Sequence, residues 1–226
     1  MRKLALLCLL CLSLGISSFA STGTTDPNLF QDSINWCTNY GCQDQQLGSP
    51  QAWTSNLGAT GMVGLVTSQN MQNLVQGSSW NGNFSNGEGL LYNGVRTIGN
   101  DPGGILLSLD TPAYGIGAFI QADLYGPFTA TISLYDSNWN LLGTFSQPGV
   151  SDNNPGTALF IGAYDALPDV SWAVFDVSDI NGDDIFAIGT TKIMTSINQT
   201  PEPASLTLLA TSLVGLAGLL RRKEVK

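Results

Sequence analysis

The densest group of oxygen-bearing side chains is an acidic segment near residue 180. Within it, Asp179, Asn181 and Asp183 are two residues apart, so a loop could direct their oxygens toward one hard cation such as Ca²⁺. The segment is not an EF-hand, because Asp184 stands where that loop needs glycine and Thr190 where it needs glutamate. The alternative is a hairpin turn at the Asn-Gly pair that begins with Asn181, and this turn is the interpretation we favour. Calcium is the only cofactor that the sequence suggests.

The chemistry of nucleophilic catalysis is restricted by composition. The chain has no histidine, which excludes Ser-His-Asp triads and Cys-His pairs. Glu88 is the only glutamate between residues 21 and 200, and most aspartates stand beside turn-forming residues, where they bond the backbone. The sequence does not exclude a pair of carboxylates that hydrolyses glycosides, because it does not give the distance between the two side chains. We therefore predict a non-enzymatic protein and rank a secreted polysaccharide hydrolase last.

Aromatic side chains could form a platform for sugar rings. The candidates in this chain are Trp80, Tyr92, Trp139 and Trp172. Trp139 stands next to the turn formers Ser137 and Asn138, which favours exposure, whereas Trp172 lies in an apolar run and is expected in the core. Core packing is the alternative for each of them. Trp139 is therefore the candidate ligand-binding residue of a carbohydrate-binding module.

Two cysteines, Cys37 and Cys42, remain outside the first twenty residues. In an exported protein such a pair is expected to form a disulfide. The four-residue loop between them is short, so the stabilisation should be small. A redox motif needs a two-residue spacing, and a zinc site needs ligands that the chain lacks.

The charge of the central region is strongly negative. Between residues 21 and 200 the only basic residues are Arg96 and Lys192, against fifteen acidic ones, which gives a net charge of −13. Such a surface repels nucleic acid phosphates and anionic lipids, so we predict no nucleic acid partner. It is compatible with neutral sugars and divalent cations. Solubility alone would also account for the charge.

The elements that must position these residues are strands. Between 128 and 135, apolar residues alternate with Thr129, Thr131, Ser133 and Tyr135, which indicates a strand with one buried face. Similar segments are 115–123, 139–145, 157–164, 170–177 and 184–193. Turn residues separate them at the spacing typical of sandwiches. The sequence predicts an all-β, jelly-roll-like antiparallel sandwich over residues 58–197, preceded by a polar arm over 21–57 that contains the disulfide loop and is partly packed by Phe30, Ile34 and Trp36.

The first twenty residues have the pattern of a secretory signal helix. Arg2 and Lys3 precede an apolar stretch from 4 to 14, and small residues allow cleavage after Ala20. The alternative is an N-terminal membrane anchor, but the apolar stretch is shorter than the ~20 residues that a span needs.

The last residues have the order of a membrane-transfer signal. Pro201-Glu202-Pro203 is followed by an uncharged helix-forming stretch up to residue 220 and then by the basic cluster Arg221-Arg222-Lys223. The 17 residues 204–220 would span about 25 Å as a helix. The basic cluster would remain on the cytoplasmic side, and the prolines keep the entry extended. A permanent single-pass anchor is the alternative.

This tail resembles the PEP-CTERM sorting signal of Gram-negative bacteria, over the last 26 residues. The resemblance implies recognition by a membrane exosortase, cleavage near the Pro-Glu-Pro and delivery to the cell surface, often in bacteria that produce exopolysaccharide and biofilm. Segments 111–118, 128–136 and 158–163 resemble the β-sandwich ectodomains that precede such tails and are similar in build to lectins and carbohydrate-binding modules. We expect a secreted cell-surface or matrix protein, transiently held in the inner membrane by residues 198–226, with a carbohydrate-binding module as the alternative.

Overall fold

A computed structural model describes residues 21–67, 70–94, 103–179 and 184–197. These residues form a 3-10 helix (Pro27–Leu29), one short α-helix, α1 (Trp36–Tyr40), and fourteen strands. The strands are β1 (Thr22–Thr24), β2 (Asp32–Ile34), β3 (Gln45–Leu47), β4 (Gln51–Thr54), β5 (Thr60–Leu65), β6 (Met71–Val75), β7 (Gly89–Tyr92), β8 (Ile105–Ala113), β9 (Gly115–Ala122), β10 (Gly126–Tyr135), β11 (Leu141–Ser151), β12 (Leu159–Tyr164), β13 (Val170–Asp179) and β14 (Phe186–Met194). All of them belong to a unit that ends at Ser196.

The strands are arranged in two antiparallel sheets. An eight-stranded sheet has the order β1-β12-β9-β14-β7-β6-β3, with β2 also paired to β14, and a six-stranded sheet has the order β11-β10-β13-β8-β5-β4. From β8 to β14 the chain alternates between the sheets, except where β10 and β11 form a hairpin. The predicted all-β sandwich is confirmed.

The core lies between the inner faces of the two sheets. Strand β10 contributes Phe128, Ala130, Ile132 and Leu134, which are buried, while the intervening residues face outward. This is the period-2 alternation that the sequence predicts. Each large apolar side chain buried here stabilises the fold by about 1.5–3 kcal/mol. A smaller apolar cluster around Trp80 and Phe84 lies outside this core.

The segment 21–57 differs from the expected polar arm. It supplies β1 to β4, which pair with strands of both sheets. Phe30, Ile34 and Trp36, the residues expected to pack this segment, are buried. The amide of Asn39 exchanges hydrogen bonds with the backbone of Thr54, donating to its carbonyl at 3.0 Å and accepting from its N–H at 2.7 Å. Polar residues of the segment 21–57 therefore form hydrogen bonds with backbone groups. The sandwich includes strands from residue 22 onward.

The predicted disulfide between Cys37 and Cys42 is confirmed, with the two Cα atoms 4.4 Å apart. It closes over α1, whose first turn is capped by the Asn35 side chain accepting from the Thr38 N–H at 3.1 Å. Gly41 ends the helix at a φ of 85°, a conformation that favours glycine.

The signal over 1–20 and the tail over 198–226 lie outside the described residues. This applies to Pro201, Glu202 and Pro203 and to the basic cluster Arg221, Arg222 and Lys223. Within the ranges that the structure describes, no helix has the length and apolar character needed to cross a bilayer.

Candidate functional site

The tip of the β10–β11 hairpin holds Trp139 in an unusual backbone conformation. The Asp136 N–H donates to the Asn140 carbonyl at 3.0 Å, and the Trp139 N–H donates to the Asp136 carbonyl at 3.1 Å. Trp139 has a φ of 64°, the only positive φ of a non-glycine residue in the described ranges. The left-handed region costs an L-residue about 1–2 kcal/mol, and glycine or asparagine is usual at such turn positions. The backbone at Trp139 is therefore strained by about this amount.

Asp136 holds this turn together. Its Oδ1 accepts from the backbone N–H groups of Asn138 at 2.8 Å and Asn140 at 2.9 Å, and its Oδ2 accepts from the Asn140 side-chain amide at 2.8 Å. The side-chain and backbone donors of Asn140 hold the pKa of Asp136 below its usual value. The carboxylate is thus ionised at neutral pH and engaged in the turn.

Three aromatic side chains meet beside this turn, and we call Tyr135, Trp139 and Trp172 the aromatic platform. The Trp139 ring stacks on Trp172 with centroids 4.4 Å apart and planes at 24°, and it tilts against Tyr135 at 5.7 Å. Trp139 remains 50% exposed. A half-exposed indole, braced from behind by a second indole, presents a rigid apolar face to solvent.

The expectation that Trp172 lies in the core is wrong. Along β13, Ala173 and Phe175 point into the core, so Trp172 faces outward and is only partly buried. The apolar run around it hides the alternation, because Val174 is also apolar and faces outward. The sequence therefore correctly proposed Trp139 as exposed but missed its stacking partner.

The other two aromatic candidates are structural. Trp80 and Tyr92 are buried in the second apolar cluster, with ring centroids 5.4 Å apart. The Tyr92 hydroxyl donates to Asp123 Oδ2 at 3.3 Å. Core packing, the alternative considered for both, is what the structure shows.

The outer face of the six-stranded sheet extends the aromatic platform in two directions. Across the strands, Tyr135 pairs with Leu141, which is 58% exposed. Along β10 and β11, hydroxyl pairs follow, which we call the hydroxyl ladder: Ser133 with Thr144 at 2.8 Å and Thr131 with Ser146 at 3.0 Å. Each hydroxyl pair uses one donor hydrogen and retains further hydrogen-bonding capacity. The surface thus combines apolar faces with hydroxyl groups.

One carboxyl oxygen, in the segment that leads into β13, has no hydrogen-bond partner among the described residues. This oxygen, Asp169 Oδ1, is buried. Burial raises the pKa of Asp169 above its usual value, with a further contribution from the charge of Asp165. The charge of Asp136 acts in the same direction.

The calcium hypothesis stays a prediction. Asp179 ends β13, whereas Asn181 and Asp183 lie outside the described residues. In the described ranges, no group of three or more His, Cys, Asp and Glu side chains could hold a metal ion.

No family model matches the chain, and no curated protein matches it. Three solved structures resemble it weakly. A DUF4465 family protein from Bacteroides caccae has 11% identity and a TM-score of 0.34, over 80% of this chain and 95% of that one. Modules of endo-1,4-beta-D-xylanase 10B from Clostridium thermocellum, complexed with xylohexaose, have 13% identity and a TM-score of 0.12, over 66% of this chain and 26% of that one.

The third is the family 11 carbohydrate-binding module from Clostridium thermocellum, in complex with a beta-1,3-1,4-mixed-linked tetrasaccharide. It has 10% identity and a TM-score of 0.13, over 82% of this chain and 93% of that one. TM-scores of this size do not establish a shared fold. The candidate site therefore depends on its own residues.

Proposed function

We propose that this chain is an exported, non-catalytic surface protein that binds polysaccharide through the aromatic platform. The observation that carries the proposal is Trp139, held at a φ of 64° with half of its surface in solvent. Backbone strain of this kind persists where surrounding structure enforces it and clusters at ligand sites. Glycine would make the same turn without the strain, but it would present no apolar face to solvent; the exposed half of the Trp139 indole is the part that we assign to ligand binding.

The chemistry of the platform suits a neutral sugar ring. The apolar C–H face of a pyranose can stack on the exposed indole, while hydroxyls beside it exchange hydrogen bonds with the hydroxyl ladder. The net charge of −13 between residues 21 and 200 opposes a polyanionic chain at this face. We propose the jelly-roll class for the sandwich, since the chain alternates between sheets from β8 onward.

The proposed location is the cell surface or the extracellular matrix of a biofilm. In this proposal, the signal over 1–20 directs export, and an exosortase-like enzyme processes the tail near Pro201-Glu202-Pro203 after transient insertion in the inner membrane. The Cys37–Cys42 disulfide supports an oxidising compartment. Mass spectrometry of the surface protein should find a C-terminus near Pro201. A mature protein that retains Lys226 would overturn the processing step.

A glycan array followed by calorimetry tests the binding proposal. We expect saturable binding of a neutral polysaccharide and a loss of roughly tenfold or more for Trp139→Ala, because stacking and burial of one indole face contribute about 1.5 kcal/mol. The matched control is Leu57→Ala, which removes an apolar side chain that is 71% exposed near the opposite edge of the same sheet. Unchanged affinity in Trp139→Ala, or no binding by the wild-type protein, would leave a purely structural role in the matrix.

A further inference from the structure

The outer face of the eight-stranded sheet carries a pocket that the aromatic platform does not involve. It has a volume of about 320 Å³ and lies over β9 and β14. The lining residues that matter here are Asn83, Glu88, Phe119, Thr190 and Lys192. Its size falls at the lower end of the range for small-ligand sites.

The floor of this pocket is a β-bulge. Strand β14 leaves its register with β9 between Ile188 and Thr191, so the residues between them have no ladder partners on β9. The Trp36 indole N–H donates to the Gly189 carbonyl at 2.8 Å, and Glu88 Oε1 accepts from the Thr190 N–H at 2.6 Å. The bulge is thus fixed by side chains from two other segments. Bulges of this kind often re-aim side chains beside functional sites.

Both oxygens of the Glu88 carboxylate form hydrogen bonds that hold this part of the backbone in place. Its second oxygen, Oε2, accepts from the Ser85 N–H at 3.0 Å. A Cβ atom at Gly189 would lie 2.5 Å from Glu88 Oε1, so the glycine allows the close approach. Both oxygens of the only glutamate between residues 21 and 200 therefore hold backbone groups.

Asn83 forms one wall of the pocket, and its side chain is also fully engaged in hydrogen bonds within the protein. Its amide donates to Asp152 Oδ1 at 2.6 Å and to Thr157 Oγ1 at 2.7 Å, and its oxygen accepts from the Asp152 N–H at 2.8 Å. Asn83 is buried, with all of these bonds made inside the protein. This wall is therefore rigid and has little hydrogen-bonding capacity left for a ligand.

Lys192 is the unengaged charge in the pocket. It is partly buried on the outer face of β14 and is the only basic residue in the described ranges. Among the described residues, no carboxylate lies within ion-pair distance of its ammonium and no acceptor bonds it. In a domain with fifteen acidic residues between positions 21 and 200, a cation without a protein counterion is a favourable point for an anionic ligand to pair. Phe119, partly buried on the same sheet face, lines the pocket with it.

We propose that this pocket binds a carboxylate-bearing sugar, such as a uronic acid residue, with the carboxylate paired to Lys192 and the ring against Phe119. A single ammonium suits a single carboxylate. The net charge of −13 opposes a polyuronate lying across the surface, so the ligand is an isolated or terminal acidic residue. The Thr190 side chain, which forms no hydrogen bond with the described residues, is placed to bond a ring hydroxyl.

This site differs from the aromatic platform in charge and in position. The platform lies on the outer face of the six-stranded sheet, whereas Phe119 and Lys192 lie on the outer face of the eight-stranded sheet. Substitutions at one site should therefore leave the other unaffected. The inference does not rest on the proposed binding at Trp139.

Calorimetric titration of the purified protein with glucuronic acid, and in parallel with glucose, tests the inference. We expect glucuronic acid to bind, glucose to bind at least about tenfold more weakly at this pocket, and the affinity for the acid to fall with added salt. Lys192→Met keeps most of the apolar stem and should lower the affinity for glucuronic acid by about tenfold or more. Lys192→Arg should restore most of it. An oligosaccharide of neutral sugars that ends in one glucuronic acid, compared with free glucuronic acid, separates a chain-terminal ligand from a free sugar acid.

Trp139→Ala is the matched control and should bind glucuronic acid as the wild-type protein does. Thermal unfolding of each variant shows that it remains folded. The inference is overturned if glucuronic acid does not bind, if Lys192→Met binds it unchanged, or if glucose binds this pocket equally well. Acid binding without any binding of neutral polysaccharide would refute the proposed function and leave this site standing.

Discussion

The backbone conformation of Trp139 leads to a prediction about two substitutions at one position. Trp139→Ala and Trp139→Gly both remove the stack on Trp172, worth about 1 kcal/mol. Both also lose the buried half of the indole, worth about another 1 kcal/mol. Only glycine adopts a φ of 64° without strain, which recovers about 1 kcal/mol. We expect the glycine variant to lose about 1 kcal/mol of unfolding free energy and the alanine variant about 2 kcal/mol.

Urea unfolding followed by circular dichroism measures both differences, because this signal does not depend on the tryptophan that is removed. Equal slopes with denaturant would show that the three proteins expose the same surface on unfolding, so the midpoints report stability. If Trp139→Ala proved as stable as Trp139→Gly, the left-handed conformation would carry no cost. The argument that links strain at Trp139 to function would then fail.

The same pair of variants separates folding from binding. Both should lose affinity for the neutral polysaccharide by a similar factor, although the glycine variant is closer to wild-type stability. A glycine variant that still bound the polysaccharide would show that the hairpin tip supports recognition without the indole.

Three further predictions concern the fold. Burial raises the pKa of Asp169, so the folded state binds the proton of this carboxyl more tightly than the unfolded state does. The free energy of unfolding of the wild-type protein should therefore fall as pH rises through the raised pKa. Thermal unfolding measured across pH should find Asp169→Asn more stable than wild type at neutral pH, with the difference closing in acid. Reduction of the Cys37–Cys42 disulfide should cost about 2 kcal/mol in urea unfolding, since the closed loop is short; no change would contradict the entropic account. Gly61→Ala should lose about 2 kcal/mol or more, because its Cβ would lie 1.9 Å from the Ser108 carbonyl oxygen; an unchanged midpoint would show that β5 can shift.

The long strands were predictable from the sequence because one physical rule governs them. In β10 the residues from Phe128 to Tyr135 alternate without interruption, and the sheet buries every second one. The turn that follows was also predictable, since an aspartate such as Asp136 accepts hydrogen bonds from the backbone N–H groups that follow it, here those of Asn138 and Asn140. What the pattern could not supply was the sign of φ at Trp139, which depends on the loop length that the paired strands impose.

The short strands were not predictable in this way. Strands β1 to β3 contain three residues each, too few for alternation to be seen. Their pairing partners are also remote: β1 pairs with β12 and β2 with β14. A polar segment with buried Ile34 and Trp36 therefore looked like an arm, although tertiary pairing makes it part of both sheets.

The pocket over the β14 bulge is another feature that the sequence pattern did not predict. Composition alone marks Glu88 and Lys192 as exceptional, since one is the only glutamate and the other one of two basic residues between positions 21 and 200. Opposite charges so rare would suggest a salt bridge with each other. In the structure, the Glu88 carboxylate instead accepts hydrogen bonds from the backbone N–H groups of Thr190 and Ser85. The bulge in β14 leaves the Thr190 N–H without a partner on β9, and a carboxylate is a strong acceptor for such a group. Lys192 is therefore left without a counterion among the described residues, and this arrangement, on which the proposed uronic acid site depends, arises from strand register and not from any local motif.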